Sequence, residues 1–306
     1  MRVLPAALLA CVAVVAAPRV AAAGDGTDLL GLLPDDAALV GVLDAADARG
    51  AALADRAIDA LVGRSPGVAA ALASVDFDPK ADLDTLLIAT DRAGGDPAWV
   101  VVVVEGRVPA RALAGLAKVD EDGDGKPDWR RKKRAGVAYY EGPTVALALV
   151  DQRLLVATTS AMPALIDHAR KKQRRTSLAT STAGAAMRAA IAGTDTRHDL
   201  WLAAEVPATM ARQAGAFAPQ WLSLGVTFGA DLVVQVRARF GDADTAASLV
   251  ALAAAQLDQV RQSMRSAGLA GAADSLTIEA EKELVEARVT LSEAEATTLT
   301  GLIGAL

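Results

Sequence analysis

The amino-acid sequence predicts an α+β protein made of two tandem similar units, with antiparallel sheets covered by helices. Three observations predict this fold class. Short segments rich in β-branched residues lie between Gly, Pro and Asp, which is typical of strands. Several of them are joined by only a few residues, which is typical of antiparallel hairpins. Apolar residues at helical spacing separate these hairpins, and the order of elements in the first half recurs in the second.

The first half of the chain alternates predicted strands with predicted helices. The strands are predicted at residues 38–43, 85–90, 99–105, 137–141, 145–150 and 154–158, and the helices at 51–62, 69–74, 110–118 and 161–171. Residues 91–96 and 141–143 are short turns rich in Gly, Pro and Asp, so each is expected to close a hairpin.

The second half has a similar order of elements. The strands are predicted at residues 200–206, 221–228, 232–240, 275–280 and 284–290, and the helices at 183–192, 208–217, 243–266 and 293–302. The order alone indicates a duplication, because no identity between the halves is visible. The predicted units are residues 24–172 and 183–306, joined by a linker at 173–182.

The N-terminus has the three parts of a secretory signal peptide. Arg2 supplies an early positive charge, residues 3–17 are an apolar run, and small residues at 21–23 fit a cleavage site. The sequence therefore predicts a signal peptide at residues 1–23 and export to the periplasm or the cell exterior. The alternative is that residues 8–11 act as a lipobox, so that Cys11 is lipidated and anchors the protein.

Composition restricts what the mature chain can do. Cys11 is the only cysteine, so its removal with the signal peptide leaves no thiol for disulfides, catalysis or metal binding. Cleavage also removes Arg2 and Arg19, which reduces the basic residues from 31 to 29 against 37 acidic ones, a net charge of about −8. An acidic chain disfavours nucleic acid as a specific partner.

Two stretches carry a resemblance to a group of bacterial proteins. The sequence LLPDDAALVGVLD near the mature N-terminus, and DADTAASLVALAAAQL after a predicted hairpin, resemble exported bacterial proteins with repeated α+β domains. The resemblance covers most of the mature chain and consists of patterning. It implies an envelope location and no particular activity.

The sequence predicts no catalytic residues and therefore no enzyme. The two histidines, His168 and His198, lack a sequence-local partner. Glu279 and Glu281 alternate along a predicted strand and could share acid and base work, but carboxylates on the solvent face of a strand are far commoner. No phosphate-binding glycine motif occurs, so no nucleotide cofactor is expected.

An acidic segment is the clearest local motif, because its carboxylates recur at every second position. It fits the pattern DxDxDGxxD, and its candidate calcium ligands are Asp120, Asp122, Asp124, Asp128 and the carbonyl of Lys126. This segment resembles the calcium loops of EF-hands, dockerins and thrombospondin type 3 repeats. The twelfth position, where an EF-hand has a bidentate Glu, is Arg131, which argues for weak binding or for a plain acidic turn.

Two basic runs contrast with the acidic background of the chain. They are residues 130–134, within a predicted acidic and basic loop at 119–135, and residues 170–175. If both lie on one side of the fold they form a surface for anionic lipid or a polyanion, and otherwise they are solvated loops.

These observations favour an exported, non-enzymatic envelope protein that acts as a binding or structural scaffold, with one candidate calcium loop. The partner would be an unknown protein or envelope component. The alternative is a periplasmic carrier that holds a lipid or another apolar ligand between sheet and helices. Strands such as residues 99–104, which are apolar on both faces, fit either a central strand or a cavity wall.

Overall fold

The computed structural model describes residues 27–56, 77–93, 96–109, 113, 128–170 and 177–304. The chain divides into unit 1, Met1–Arg188, and unit 2, Ala189–Leu306. The predicted signal peptide, Cys11 and the predicted helices at 69–74 and 110–118 lie wholly or almost wholly outside the described residues. Of the predicted linker at 173–182, residues 177–182 are described, and Leu178 is fully buried within unit 1.

Unit 1 contains a seven-stranded antiparallel sheet with the strand order β1-β2-β3-β7-β6-β5-β4. The strands are β1 (Leu39–Asp44), β2 (Leu83–Thr90), β3 (Val100–Gly106), β4 (Arg130–Arg134), β5 (Val137–Glu141), β6 (Val145–Val150) and β7 (Arg153–Thr158). The helices are α1 (Pro79–Asp82), α2 (Met162–Ala169) and α3 (Ala185–Ala192), preceded by a 3-10 helix at Thr27–Leu32. α3 crosses the division between the two units.

The strands of unit 1 show two kinds of apolar pattern. β3 reads VVVVVEG with four consecutive buried residues, as expected for a central strand that is covered on both faces. β6 reads VALALV and alternates between half-buried and buried positions. One face of the sheet is fully buried along its length at Val40, Leu87, Val103 and Leu155. Burial of each such side chain stabilises the fold by about 1.5–3 kcal/mol.

Helix α2 covers this buried face. Its inner residues Met162, Leu165 and Ile166 are buried, and the helix contacts β6 and β7. His168, on the last turn, is also buried, and its Nδ1 lies 2.9 Å from the carbonyl oxygen of Leu32. Because a carbonyl can only accept, Nδ1 carries the proton and ties the N-terminal 3-10 helix to α2.

Unit 2 contains a five-stranded antiparallel sheet with the strand order β8-β9-β10-β12-β11. The strands are β8 (Leu200–Glu205), β9 (Trp221–Phe228), β10 (Asp231–Arg239), β11 (Thr277–Glu281) and β12 (Leu284–Ser292). The helices are α4 (Ala208–Ala214), α5 (Ala243–Ser266), α6 (Ala270–Ser275) and α7 (Glu293–Gly304), with a 3-10 helix at Gly215–Phe217 after α4.

The long helix α5 begins at a conventional N-cap. The carboxylate of Asp242 accepts hydrogen bonds from the backbone N–H of Thr245 at 2.7 Å and from its hydroxyl at 2.9 Å. These hydrogen bonds lower the pKa of Asp242. The inner side of α5 packs through Leu249 and Val250 near Val285 of β12, and the opposite side is exposed.

The two units have the same strand order, which confirms the predicted repeat. β1, β2, β3, β7 and β6 are neighbours in unit 1 in the order that β8, β9, β10, β12 and β11 have in unit 2. α2 follows β7 as α7 follows β12. Unit 1 differs by one additional strand pair, β4 and β5, at the end of its sheet.

The β4–β5 hairpin corrects one expectation from the sequence. Residues 130–134, which were predicted as part of a loop at 119–135, form strand β4. The turn that closes the hairpin consists of Ala135 and Gly136, with φ angles of 49° and 86°. Two consecutive residues with positive φ match a type I′ turn, whose twist fits a tight antiparallel hairpin. The turn and the pairing with β5 therefore make a strand of a segment that has no apolar residue.

Candidate functional site

The predicted calcium loop lies mostly outside the described residues. Of its ligands, Asp120, Asp122, Asp124 and Lys126 are not described, whereas Asp128 is half-buried two residues before β4. Within the described part of the chain, no group of three or more His, Cys, Asp and Glu side chains is arranged to hold a metal ion. The chain continues from Asp128 into a strand, whereas an EF-hand loop continues into a helix.

The basic run at 130–134 lies on the outermost strand of the unit 1 sheet. All five side chains of β4, with the sequence RRKKR, are exposed. Adjacent strand residues point to opposite faces, so the five cations divide into two sets. β4 has no apolar side chain of its own, so its pairing with β5 holds it in the sheet.

On one face of β4, two of three cations are neutralised. Lys132 donates to Glu141 of β5 at 2.5 Å, and this hydrogen bond raises the pKa of Lys132. Arg134 donates to Asp167 of α2, and this hydrogen bond raises the pKa of Arg134. The side chain of Asp167 is only 8% exposed, so the contact places a half-exposed arginine over a buried carboxylate. The Arg134–Asp167 pair attaches the hairpin to the helix that covers the core, whereas the Lys132–Glu141 pair joins the two strands of the hairpin.

The other face of β4 carries Arg131 and Lys133, which have no ion-pair partner among the residues described here. Arg131 lies opposite Tyr140 and Lys133 lies opposite Ala138 in the pairing with β5. Both partners line a pocket of about 390 Å³. Among the described residues, the lining also includes Leu113, Gly136, Val137, Leu149, Val150, Asp151 and Arg170.

The first residue of the second basic run, Arg170, lines this pocket. Arg170 follows α2, lines the pocket, and forms an ion pair with Asp151 at 3.3 Å. Residues 171–175 of the run lie outside the described residues. The structure therefore places the start of the second basic run in the lining of a pocket that also includes the two β5 residues opposite Arg131 and Lys133.

The two histidines each make hydrogen bonds with residues distant in sequence. Beside the bond from His168 to Leu32, His198 lies in front of β8 with Nδ1 2.7 Å from the Thr227 hydroxyl and Nε2 2.9 Å from Oε1 of Gln235. Because the amide oxygen accepts, Nε2 carries the proton and Nδ1 accepts from Thr227. A Cβ on Gly225 would lie 2.1 Å from the His198 ring, so this glycine makes room for the histidine.

Hydroxyl, imidazole and amide thus form a hydrogen-bonded chain from Thr227 of β9, through His198 two residues before β8, to Gln235 of β10. A hydroxyl, an imidazole and an amide in this order are the same types of group as the nucleophile, the base and the orienting residue of a catalytic triad. Gln235 is 6% exposed, and the half-buried imidazole packs over Gly225 of β9 with both nitrogens occupied. This network was missed from the sequence, because its members are 29 and 37 residues apart.

The paired glutamates do not meet a histidine in the described structure. Glu279 and Glu281 are both exposed on β11, the outer strand of the unit 2 sheet. Glu279 lies opposite Glu286, which forms an ion pair with Arg237 at 2.9 Å.

Among the described residues, no helix is both long enough and apolar enough to cross a membrane.

Comparison with known proteins gives a match at the level of structure. No protein-family model and no curated protein matches the chain. The chain is similar to TP0453 in crystal form III, with a TM-score of 0.52 and 13% identity over 90% of this chain and 98% of that one. Crystal form I of TP0453 gives a TM-score of 0.48 with 14% identity over 89% and 96% of the two chains. The chain therefore has an α+β fold similar to that of TP0453 over most of its length.

Proposed function

We propose that the protein is an exported, non-enzymatic envelope protein that acts as a binding or structural scaffold. The observation that carries this proposal is the exposed strand β4, whose cations on one face are unpaired among the described residues and lie opposite two residues that line a pocket. A fully charged strand contributes little to a core, so its exposure favours an interaction surface. The signal peptide predicted at residues 1–23 supports an envelope location.

The histidine contacts support a role without catalysis. His168 is buried and links two elements of unit 1, while both ring nitrogens of His198 are occupied by side chains of the unit 2 sheet. Each histidine therefore has a structural use in the fold.

A periplasmic carrier of a lipid or another apolar ligand is the second candidate. One face of the unit 2 sheet presents a row of apolar side chains across four strands, formed by Leu202, Leu224, Val236 and Ala287. Val236 in the middle of this row is 42% exposed, and the other three are half-buried. An apolar sheet face that is open to this extent supports a ligand between sheet and helix.

Native mass spectrometry of protein purified from its own envelope, after chemical crosslinking, separates the two candidates. We expect a crosslinked envelope component and no bound small molecule. A lipid mass that accompanies the protein without crosslinking would favour the carrier. Recovery of the protein in the cytoplasmic fraction, with an intact N-terminus, would contradict both.

We further propose that the acidic segment at residues 120–128 binds one calcium ion that orders the loop. Five carboxylates in nine residues, the four candidate ligand aspartates and Glu121, repel one another without a cation, and binding turns this repulsion into attraction. With a Kd of about 10⁻⁴ to 10⁻³ M, the range of extracellular modules, calcium at tenfold excess stabilises the fold by about 1.4 kcal/mol. We expect millimolar calcium to raise the melting temperature of the wild type relative to EGTA.

The matched control for calcium is Asp122→Ala, which removes a central ligand. Its melting temperature should not respond to calcium. An unchanged melting temperature of the wild type, or an equal shift in both proteins, would show that the segment is only an acidic turn.

A further inference from the structure

Strand β4 is electrically asymmetric, and the asymmetry follows from its register. Lys132 and Arg134 point to the face of α2, where Glu141 and Asp167 neutralise them. Lys133 points to the opposite face and has no ion-pair partner among the described residues. If β4 only protected the edge of the sheet from aggregation, charged side chains would be sufficient, and it would not matter which face of the strand carried unpaired charge.

The unpaired face of β4 adjoins the pocket. Residues directly opposite each other on neighbouring antiparallel strands have Cβ atoms about 4.5–5.5 Å apart. Arg131 and Lys133 are opposite Tyr140 and Ala138, which line the pocket, so both cations are on the neighbouring strand next to two lining residues. Arg170 belongs to the lining itself.

Among the described residues, the charged groups near the pocket are mainly cationic. Arg170 lines it, Arg131 and Lys133 lie on the neighbouring strand opposite two lining residues, and Asp151 is the acidic residue among the described lining. Asp151 is 3.3 Å from Arg170 and offsets part of that single charge. An anionic group in the pocket would meet the Arg170 guanidinium, with Arg131 and Lys133 on the adjacent strand, in line with the preference of arginine for phosphate.

The rest of the lining indicates what the anion is attached to. Leu113, Tyr140 and Leu149 give the pocket an apolar wall beside the cations. At about 390 Å³ the pocket is near the lower end of the range of small-molecule sites, about 300–1,000 Å³. That volume suits a headgroup with the first carbons of its chain and leaves the remainder of the ligand outside.

We infer that this pocket binds the phosphate headgroup of an anionic phospholipid at a membrane surface, with Arg131, Lys133 and Arg170 contacting the phosphate and the apolar wall contacting the glycerol. The inference rests on the proposed function and deepens it, because it names the envelope component that the scaffold binds. Since the acyl chains stay in the bilayer, the protein docks on the membrane and does not extract the lipid.

The test measures flotation of the mature chain, residues 24–306, with vesicles of phosphatidylcholine alone or of equimolar phosphatidylcholine and phosphatidylglycerol. We expect binding only to the anionic vesicles. Lys133→Gln and Arg131→Gln should each reduce the bound-to-free ratio about fivefold, the effect of one cation at an anionic surface. Arg130→Gln is the matched control, because it removes the same charge from the same strand on the opposite face, and we expect a reduction of less than about twofold.

A further variant separates a pocket from general electrostatic attraction. Ala138→Phe fills the pocket and leaves the net charge unchanged, so it should lower binding as strongly as Lys133→Gln. Inorganic phosphate at the same concentration as the lipid headgroups should not displace the protein from the vesicles. Circular dichroism confirms that each variant is folded.

Several outcomes would overturn the inference. They are equal losses in Arg130→Gln and Lys133→Gln, full binding by Ala138→Phe, displacement by inorganic phosphate, and no binding of the wild type to anionic vesicles. All of them leave the scaffold proposal standing, because that proposal fails only if crosslinking in the native envelope recovers no component.

Discussion

Replacing Trp201 by alanine is expected to destabilise unit 2 by about 3–5 kcal/mol, the cost of removing a large aromatic side chain from a core. Trp201 is 1% exposed and is among the largest fully buried side chains of the described chain. It lies on β8 opposite Gly225 of β9. The loss of stability has two contributions: the transfer free energy of the removed apolar atoms, and the cavity that remains because the surrounding core relaxes only partially.

The measurement is urea-induced unfolding followed by far-ultraviolet circular dichroism, which does not depend on the deleted fluorophore. Leu252→Ala is the control, because Leu252 is 55% exposed on α5 and its truncation should change the free energy of unfolding by less than about 0.5 kcal/mol. If both variants unfold at the same urea concentration, the Trp201 side chain does not stabilise the core of unit 2.

The sequence was sufficient to predict most strands because their burial matches their pattern. Residues 137–141, 145–150 and 221–228 were predicted with the bounds that the structure has, and the long helix at 243–266 was also predicted correctly. In these segments the period of apolar residues, the flanking turn residues and the final burial agree. The repeat could be predicted for the same reason, since it follows from the order of such elements.

Strand β4 could not be predicted, because nothing in RRKKR alternates. Its conformation depends on the turn at Ala135 and Gly136 and on pairing with β5, which are properties of the hairpin and not of the segment. Ala-Gly is a weaker hairpin signal than Asn-Gly or Asp-Gly, so the positive φ angles were not evident. An edge position tolerates this composition, because all five residues of the strand remain exposed.

The candidate site was predicted only as two separate basic runs. Which cations remain unpaired depends on cross-strand register, and a shift of one residue would exchange the two faces of β4. The contact of Arg134 with Asp167 joins residues 33 positions apart, and that of His198 with Gln235 joins residues 37 positions apart. Such pairs carry no local signal in a single sequence.

Glu295 is the second position at which we expect a large effect. With Ser292 it forms a capping box at the start of α7: the Glu295 carboxylate accepts from the Ser292 N–H at 3.0 Å, and the Ser292 hydroxyl accepts from the Glu295 N–H at 3.3 Å. The same carboxylate accepts from the N–H of Ala272 in α6 at 3.0 Å. This one side chain, which is 8% exposed, therefore accepts hydrogen bonds from backbone N–H groups at the beginnings of two helices.

Backbone hydrogen bonds from Ala272 and Ser292 are the main causes that lower the pKa of Glu295 in the folded protein. A group whose folded pKa is lowered stabilises the fold above its unfolded pKa, about 4.3 for Glu, and loses that contribution as the pH falls through the folded pKa. Glu295→Gln keeps the shape but removes the charge, so we expect it to cost about 1.5–3 kcal/mol at neutral pH, the worth of hydrogen bonds to a charged group.

The difference between wild type and Glu295→Gln should shrink progressively as the pH falls below about 4.3, because the carboxyl of the unfolded chain takes up a proton there while the folded carboxyl, with its lowered pKa, stays ionised to lower pH. Urea unfolding at neutral pH and at about pH 3 measures both free energies. Glu279→Gln is the matched control: Glu279 is exposed on β11, so its replacement should change the free energy of unfolding by less than about 0.5 kcal/mol at neutral pH. A loss for Glu295→Gln that is equal at both pH values would mean that packing of the side chain, and not its negative charge, holds α6 and α7 together.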